Sequence, residues 1–361
     1  MWPYWLFFLI PAMLALAQGK AYVNPPAKWP SIWWLMYILL VLTIGLRFEV
    51  GGDWGQYIWH LQKAEKETFS EALLQSDPAY KVLNWLAVRA GAGIWLTNTL
   101  GALVFGYGLV AFCRSLPRPW LALSVAMPYL VTVVAMGYTR QGIAIGLILL
   151  ALVALKDKRI YKYFVLMFVA AVFHKTAIIM VPLVAFSSAS NRWWRYFLTA
   201  IVMTMMYWFL ISDATEYFVS GYIDAEYNSQ GAAIRVAMNA VPALLYLFLE
   251  RRFHLESGER AFWRIMALGA LVFVGLLIVS PSSTAVDRLA LYWIPLQMYV
   301  FSRLPEALGK PGNKNSVWVL AVVVYYVLIL AVWLNFATHA QLWIPYQFYP
   351  WVWFWDLPSR F

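Results

Sequence analysis

Hydrophobic positions along this chain come in long unbroken runs rather than in narrow periodic stripes. The runs at 32–46, 94–112 and 317–334 approach the roughly 20 residues a helix needs to cross hydrocarbon. They lack the period-two alternation of barrel strands. In lipid each backbone group must then be satisfied inside its own segment, which leaves helices. The pattern predicts an all-α chain with spans near 3–18, 31–47, 94–112, 120–136, 141–155, 162–173, 176–186, 196–211, 236–250, 265–280, 287–303 and 316–334. The pair at 162–173 and 176–186 has two readings: two short helices turned at His174 and Lys175, or one ordinary helix with both residues at its centre. The first 18 residues resemble a signal peptide, but no Lys or Arg precedes the apolar stretch, so it reads as a retained first helix.

Composition agrees with lipid as the main solvent. Of 361 residues, 63% are hydrophobic and 12% charged, more apolar surface than a soluble fold of this length hides. The 21 Trp fit aromatic belts at the membrane boundary. The net charge of +10 does not point to nucleic acid, because the basic residues sit in short loops between spans. A single cysteine, Cys113, excludes an internal disulfide framework or thiolate cluster. No Walker loop, Rossmann fingerprint or zinc-protease helix is present, and no cofactor is expected. Residues 1–361 read as one transmembrane domain.

Loop charge assigns sides, because Lys and Arg are retained on the cytoplasmic face. With the 162–186 pair as a hairpin, alternate loops collect 17 of the 27 Lys and Arg but five of the 17 acids. One continuous helix would instead send Arg251, Arg252, Arg260 and Arg264 outside, so the hairpin is preferred. Both termini then face out. Three outward segments exceed simple connections: 48–93, in which Tyr80–Arg89 reads as an amphipathic or re-entrant helix; 212–235; and an aromatic tail at 335–361, expected to lie in the interface as an anchor or to stack on sugar rings.

Cations recur at the outward ends of spans. Arg47 ends the second, Arg140 opens the fifth, and His174 and Lys175 fill the short turn. Arg235 precedes the ninth, and Arg288 opens the eleventh beside Asp287. Guanidinium forks bind phosphate oxygens in pairs, and helix N-termini already favour anions. The pattern asks for an anion at the outer headgroup level, and a lipid pyrophosphate meets it. The bland alternative is snorkelling to headgroups or pairing with nearby acids. Asp53, in Gly51-Gly52-Asp53-Trp54, reads as a general base beside bound phosphate and sugar, or as a partner of Arg47. His174 is the rival base. With no paired carboxylates or His/Asp ligand cluster, no metal is implied.

These residues resemble the EpsG-type branch of the Wzy polysaccharide polymerases, which build O-antigen, capsule or exopolysaccharide. The likeness rests on Gly45-Leu-Arg47-Phe-Glu-Val-Gly-Gly-Asp53-Trp-Gly-Gln-Tyr57, similar to the family signature G-x-R-[YF]-x-x-G-x-D-[YW]-x-x-Y. It continues through Arg140-Gln141 with the small-residue helix of Gly142, Ala144 and Gly146, through Phe173-His174-Lys175-Thr176, and through Asp287-Arg288 with Tyr292. Gly52 departs from the Thr of many relatives. The resemblance implies a fold related to lipid-dependent GT-C-like glycosyltransferases. It implies transfer of a growing glycan from undecaprenyl pyrophosphate to a lipid-linked repeat unit, at the periplasmic face of the bacterial inner membrane and without a metal. Arg140 and Arg288 would clamp the pyrophosphate, with Arg47, Arg235 and Lys175 in support. Asp53 or His174 would be the base, with Gln141, Tyr57, Asp287 and Tyr292 supporting. Partners would be undecaprenyl-pyrophosphate-linked oligosaccharides and membrane lipids, with a chain-length regulator and a flippase beside it. A flippase for lipid-linked oligosaccharides, with midplane cations and inverted repeats, or an outer-face glycan ligase are the alternatives.

Overall fold

A computed structural model of the chain describes residues 1–23, 28–186, 192–210 and 229–355. Most of the 212–235 segment therefore lies outside the described residues. The described elements are helices: α1 (Trp2–Ala17), α2 (Ser31–Gly45), α3 (Trp54–Lys66), α4 (Phe69–Leu73), α5 (Pro78–Arg89), α6 (Gly93–Arg114), α7 (Pro119–Ala126), α8 (Thr139–Lys156), α9 (Ile160–Phe173), α10 (Arg192–Leu210), α11 (Ala232–Leu249), α12 (Ser257–Val279), α13 (Ser283–Ala290), α14 (Ile294–Leu308), α15 (Ser316–Phe336) and α16 (Tyr349–Trp355). Short 3₁₀ stretches and a π-helical continuation of α7 over Met127–Ala135 join them. Among the described residues five helices are long and apolar enough to cross a membrane: α6, α8, α11 with its extension to Phe253, α12 and α15. Five further apolar stretches run only 10–17 residues, so the twelve expected spans include several below ordinary crossing length.

The 162–186 pair is a hairpin. His174 takes extended geometry and ends α9, and a 3₁₀ helix runs from Lys175 to Phe186. The Tyr163 hydroxyl donates to the Met180 carbonyl at 2.7 Å, a contact two residues 17 apart make only if the chain turns back. At roughly 2.0 Å per residue, twelve 3₁₀ residues reach about 24 Å, further than the same number in an α-helix.

Glycines let α6 and α8 meet closely. A β-carbon on Gly108 of α6 would sit 2.0 Å from the Gly146 carbonyl oxygen of α8, and one on Gly146 would lie 2.5 Å from Phe105 Cα. The small-residue run that follows Arg140 is therefore a contact surface that lets two backbones touch. The 48–93 segment forms three helices where one was expected. Tyr57, His60, Leu61 and Ala64 make the buried stripe of α3, and a Thr68–Glu71 capping box starts α4.

The aromatic tail is not a free interfacial anchor over its described part. Trp343 is 2% exposed, donates from its indole to the Thr132 carbonyl at 2.8 Å, and its own carbonyl accepts from Tyr4 at 2.5 Å. Backbone bonds tie Phe48 to Gln347, Tyr349 to Leu46 and Gly51 to Leu342, and Tyr349 stacks on Trp95 at 3.7 Å. The tail straps the loop after α2 in place. Gly51 completes the fastening: at φ +110° it lies against the Met136 carbonyl, where a β-carbon would meet oxygen at 2.5 Å. The close approach that Gly51 permits is thus to the backbone of Met136 and Gly137.

Candidate active site at one end of the helices

Four chain segments converge at the end of the molecule where α2 finishes and α8 begins. The strapped loop delivers Asp53 and α3. The π-helical end of α7 leads into Tyr138, Arg140 and Gln141. The hairpin turn supplies His174 and Thr176, and α13 supplies Arg288. Together they line a cavity of about 130 Å³, with Gln56, Tyr57, Ala285 and Leu289 completing the wall. Asp53, Tyr57, Arg140, Gln141, His174 and Arg288, widely separated in the chain, thus meet at one hollow.

Asp77, a residue that no sequence motif singles out, organises this hollow. It is 4% exposed, takes left-handed backbone at φ 59°, and precedes Pro78 at the start of α5. One carboxylate oxygen accepts from Arg140 Nη1 at 3.0 Å and meets His174 Nδ1 at 3.2 Å. The other accepts from the Lys175 backbone N–H at 3.0 Å. Burial by itself raises a carboxyl, but the His174 bond and charge, Arg140 and the Lys175 N–H outweigh it and hold Asp77 at about 2. A non-glycine residue in left-handed geometry costs free energy, and the three bonds explain why the position keeps it. With Nδ1 donating to Asp77, His174 presents Nε2 as the acceptor toward the cavity it lines.

The two lining arginines are held differently. Arg140 is the second residue of α8, so the N-terminal half-charge of that helix adds to its own. Arg288 does not open a helix as expected. It lies in the last turn of α13, because that helix starts at Ser283 with Ser282 as its cap. The helical backbone runs on through Leu291–Trp293 into α14, so Arg288 sits within a nearly continuous helical run. The guanidinium lies 3.9 Å from the Tyr138 ring centroid, and Gln141 Nε2 donates to the Arg288 carbonyl at 2.7 Å, joining α8 to α13. Asp53 caps α3 without using its side chain on the backbone, and Tyr57 donates to it at 3.5 Å. Burial pushes the Asp53 carboxyl up, against the opposing pull of Arg288 and then Arg140.

Other expected members stand elsewhere. Arg47 is 1% exposed and does not reach the rim. Its donors go to the carbonyls of Ile44 and Val50, to Thr139 at 2.8 Å and to Asn98 at 3.4 Å. It is a buried brace between the strapped loop and the start of α8, and it pairs with neither Asp53 nor a surface acid. Arg235 and Asp287 form a two-pronged ion pair at 2.6 and 2.7 Å beside the cavity, not in its wall. Lys175 contributes its backbone N–H to Asp77. Tyr292 is buried under the floor, its hydroxyl 2.8 Å from Thr176 Oγ1. Among the described residues no three His, Cys, Asp or Glu side chains are grouped to hold a metal ion.

Apolar helices of crossing length, with a polar hollow at one end lined by two arginines, an aspartate and a histidine, describe a membrane-embedded helical protein. The EpsG family profile matches residues 31–348, a stretch that contains every residue of the cavity wall, and the chain belongs to the EpsG family. Membership makes it, in general terms, a polysaccharide polymerase with glycosyltransferase-like activity. No curated protein and no solved structure matches the chain.

Proposed function

We propose that this protein lengthens a polysaccharide at the outer face of a bacterial inner membrane. A growing glycan would move from undecaprenyl pyrophosphate onto the sugar of a lipid-linked repeat unit. The observation that carries the reading is the single cavity uniting Arg140, Arg288, Asp53 and His174. Its outward orientation follows from the charge bias of the loops. At the opposite end of the helices, Arg118 pairs with Glu306 at 2.7 Å and Arg303 with Glu259 at 3.1 Å.

The chemistry follows from what each group does. Arg140 and Arg288 hold the diphosphate, whose negative charge grows as the bond from the anomeric carbon to the phosphate oxygen breaks. The leaving lipid diphosphate takes that electron pair. The acceptor hydroxyl oxygen forms the new bond to the anomeric carbon and gives its proton to His174 Nε2. Asp77, ionised and buried behind the ring, fixes its orientation and stabilises the imidazolium that results. Asp53 faces the positive charge that develops on the sugar ring, as carboxylates do in glycosyl transfer. In this reading the proton goes to His174 rather than to Asp53, because a buried carboxylate, Asp77, holds the imidazole from behind.

The test is direct. Purified protein incubated with lipid-diphosphate-linked repeat units alone yields a ladder of lengthening products. Unchanged repeat units would refute polymerisation and favour transport. A single transfer to some other acceptor would favour the ligase.

A further inference from the structure

A second cavity, of about 440 Å³, adjoins the first and is mostly apolar. It runs between the first two turns of α11 and the last three turns of α15, with the π-helical segment before Tyr138 as its back wall. Ile234 and Met238 line one side; Leu328, Val332 and Phe336 line the other. Ile234, Leu328, Val332 and Phe336 are also exposed on the outside of the helices, so the groove opens sideways, where lipid would be. Its α15 wall runs from Tyr325 to Phe336, about 16 Å at the α-helical rise. That is close to one leaflet, about half the ~30 Å hydrocarbon core.

Its upper end supplies the link. Tyr138 lines both cavities, and the face of its ring carries Arg288. Arg235, paired with Asp287, also lines the groove. An apolar channel of one-leaflet depth thus ends at the cation pocket. A molecule satisfying both must be long, hydrocarbon at one end and phosphorylated at the other.

We propose that this groove seats the hydrocarbon chain of the polyprenyl diphosphate whose head group sits on Arg140 and Arg288. The proposal rests on the reading above, because it takes the cation pocket as the diphosphate site. The Tyr138 ring would then mark where chain gives way to phosphate, and the sideways opening would admit a carrier from the bilayer without passage through water.

Photolabelling tests this without requiring turnover. Full-length protein in phosphatidylcholine nanodiscs is exposed to a polyprenyl diphosphate bearing a diazirine at mid-chain and no sugar, and labelled peptides are mapped. Saturable labelling of Met238, Val332 or Phe336 is expected, at least tenfold better competed by unlabelled polyprenyl diphosphate than by added phospholipid. Val332→Trp, which fills the groove from its lipid-facing side, should cut labelling at least fivefold. Equal competition by phospholipid, or label spread along exposed faces of other helices without saturation, would overturn the proposal. So would undiminished labelling of Val332→Trp. Because the probe carries no glycan, groove labelling with no product ladder removes the polymerase reading alone. A ladder without groove labelling removes this one alone.

Discussion

Asp77→Asn is the sharpest perturbation this structure offers, because it keeps the side chain's size and removes only its charge. The wild-type carboxyl is held at about 2, against an ordinary value near 3.8. That gap corresponds to roughly 2–3 kcal/mol favouring the ionised form, and the group is too buried for solvent screening to reduce it much. Because the value is lowered on folding, the associated stability is present above about pH 4 and is lost as pH falls through about 2. Asp77 is therefore ionised throughout any working range, and it cannot be the group behind an acid limb near neutrality.

What asparagine removes is the anchor for His174 Nδ1 and the counter-charge of Arg140. Its amide satisfies the imidazole in either tautomer, so Nε2 is no longer held as the acceptor. Losses of about 10²–10⁴ in kcat follow when a base loses its orientation in this way. The measurement is the initial rate of ladder formation from purified repeat units, across pH, with thermal stability recorded on the same preparation. The expected result is a fall in kcat of at least a hundredfold with little change in the KM of the acceptor, and partial recovery in Asp77→Glu. A variant that keeps a third of the wild-type kcat at unchanged stability would refute the positioning role.

Arg140→Lys and Arg288→Lys preserve charge but lose the planar fork, so each should lower kcat about 10²–10³-fold with protein levels maintained; full-length polymer from both variants in cells would remove the clamp. Arg47→Lys should act on stability, by about 2–4 kcal/mol, because Lys cannot reach Ile44, Val50, Thr139 and Asn98 together; a normal melting temperature with a raised donor KM would return Arg47 to the binding site. Gly146→Val forces a side chain into the Phe105 backbone and should cost at least 1–3 kcal/mol, seen as loss of folded protein in membranes; normal levels would mean that α6 and α8 do not cross as described.

The apolar runs located the helices because lipid imposes one requirement on all of them. Boundaries failed where polar capping, not hydropathy, set the start. A hydropathy reading opens a helix at Asp287, whereas Ser282 caps one at Ser283, and this moved Arg288 from the expected first turn to a position further inside the helix. The early signature from Arg47 to Asp53 singled out a residue that lines the cavity, Asp53, yet could not show that its arginine turns inward and that Gly51 packs on Met136. Asp77 was harder to see. Its partners Arg140 and His174 lie 63 and 97 residues away, and only its place before Pro78 hinted that the residue begins a helix. The tail misled for a related reason: an aromatic run that packs on a neighbour reads the same as one that floats at an interface.

Asp77 also bears on how a polymerase lets go. A processive or repeated reaction must release a lipid diphosphate at every round, and a fixed cation left without a counter-charge would bind that product as tightly as the transition state. Binding both equally does not raise kcat. Pairing Arg140 with a buried carboxylate tempers its attraction for ground-state anions, while its remaining donors stay available where charge grows during bond breaking. Asp77→Asn should then lower kcat and at the same time tighten inhibition by polyprenyl diphosphate, by about tenfold if roughly 1.4 kcal/mol of the counter-charge is felt at the product. A merely mispositioned His174 would slow the reaction without tightening the product. Unchanged or weaker inhibition in that variant would show that the Asp77–Arg140 pair serves geometry alone.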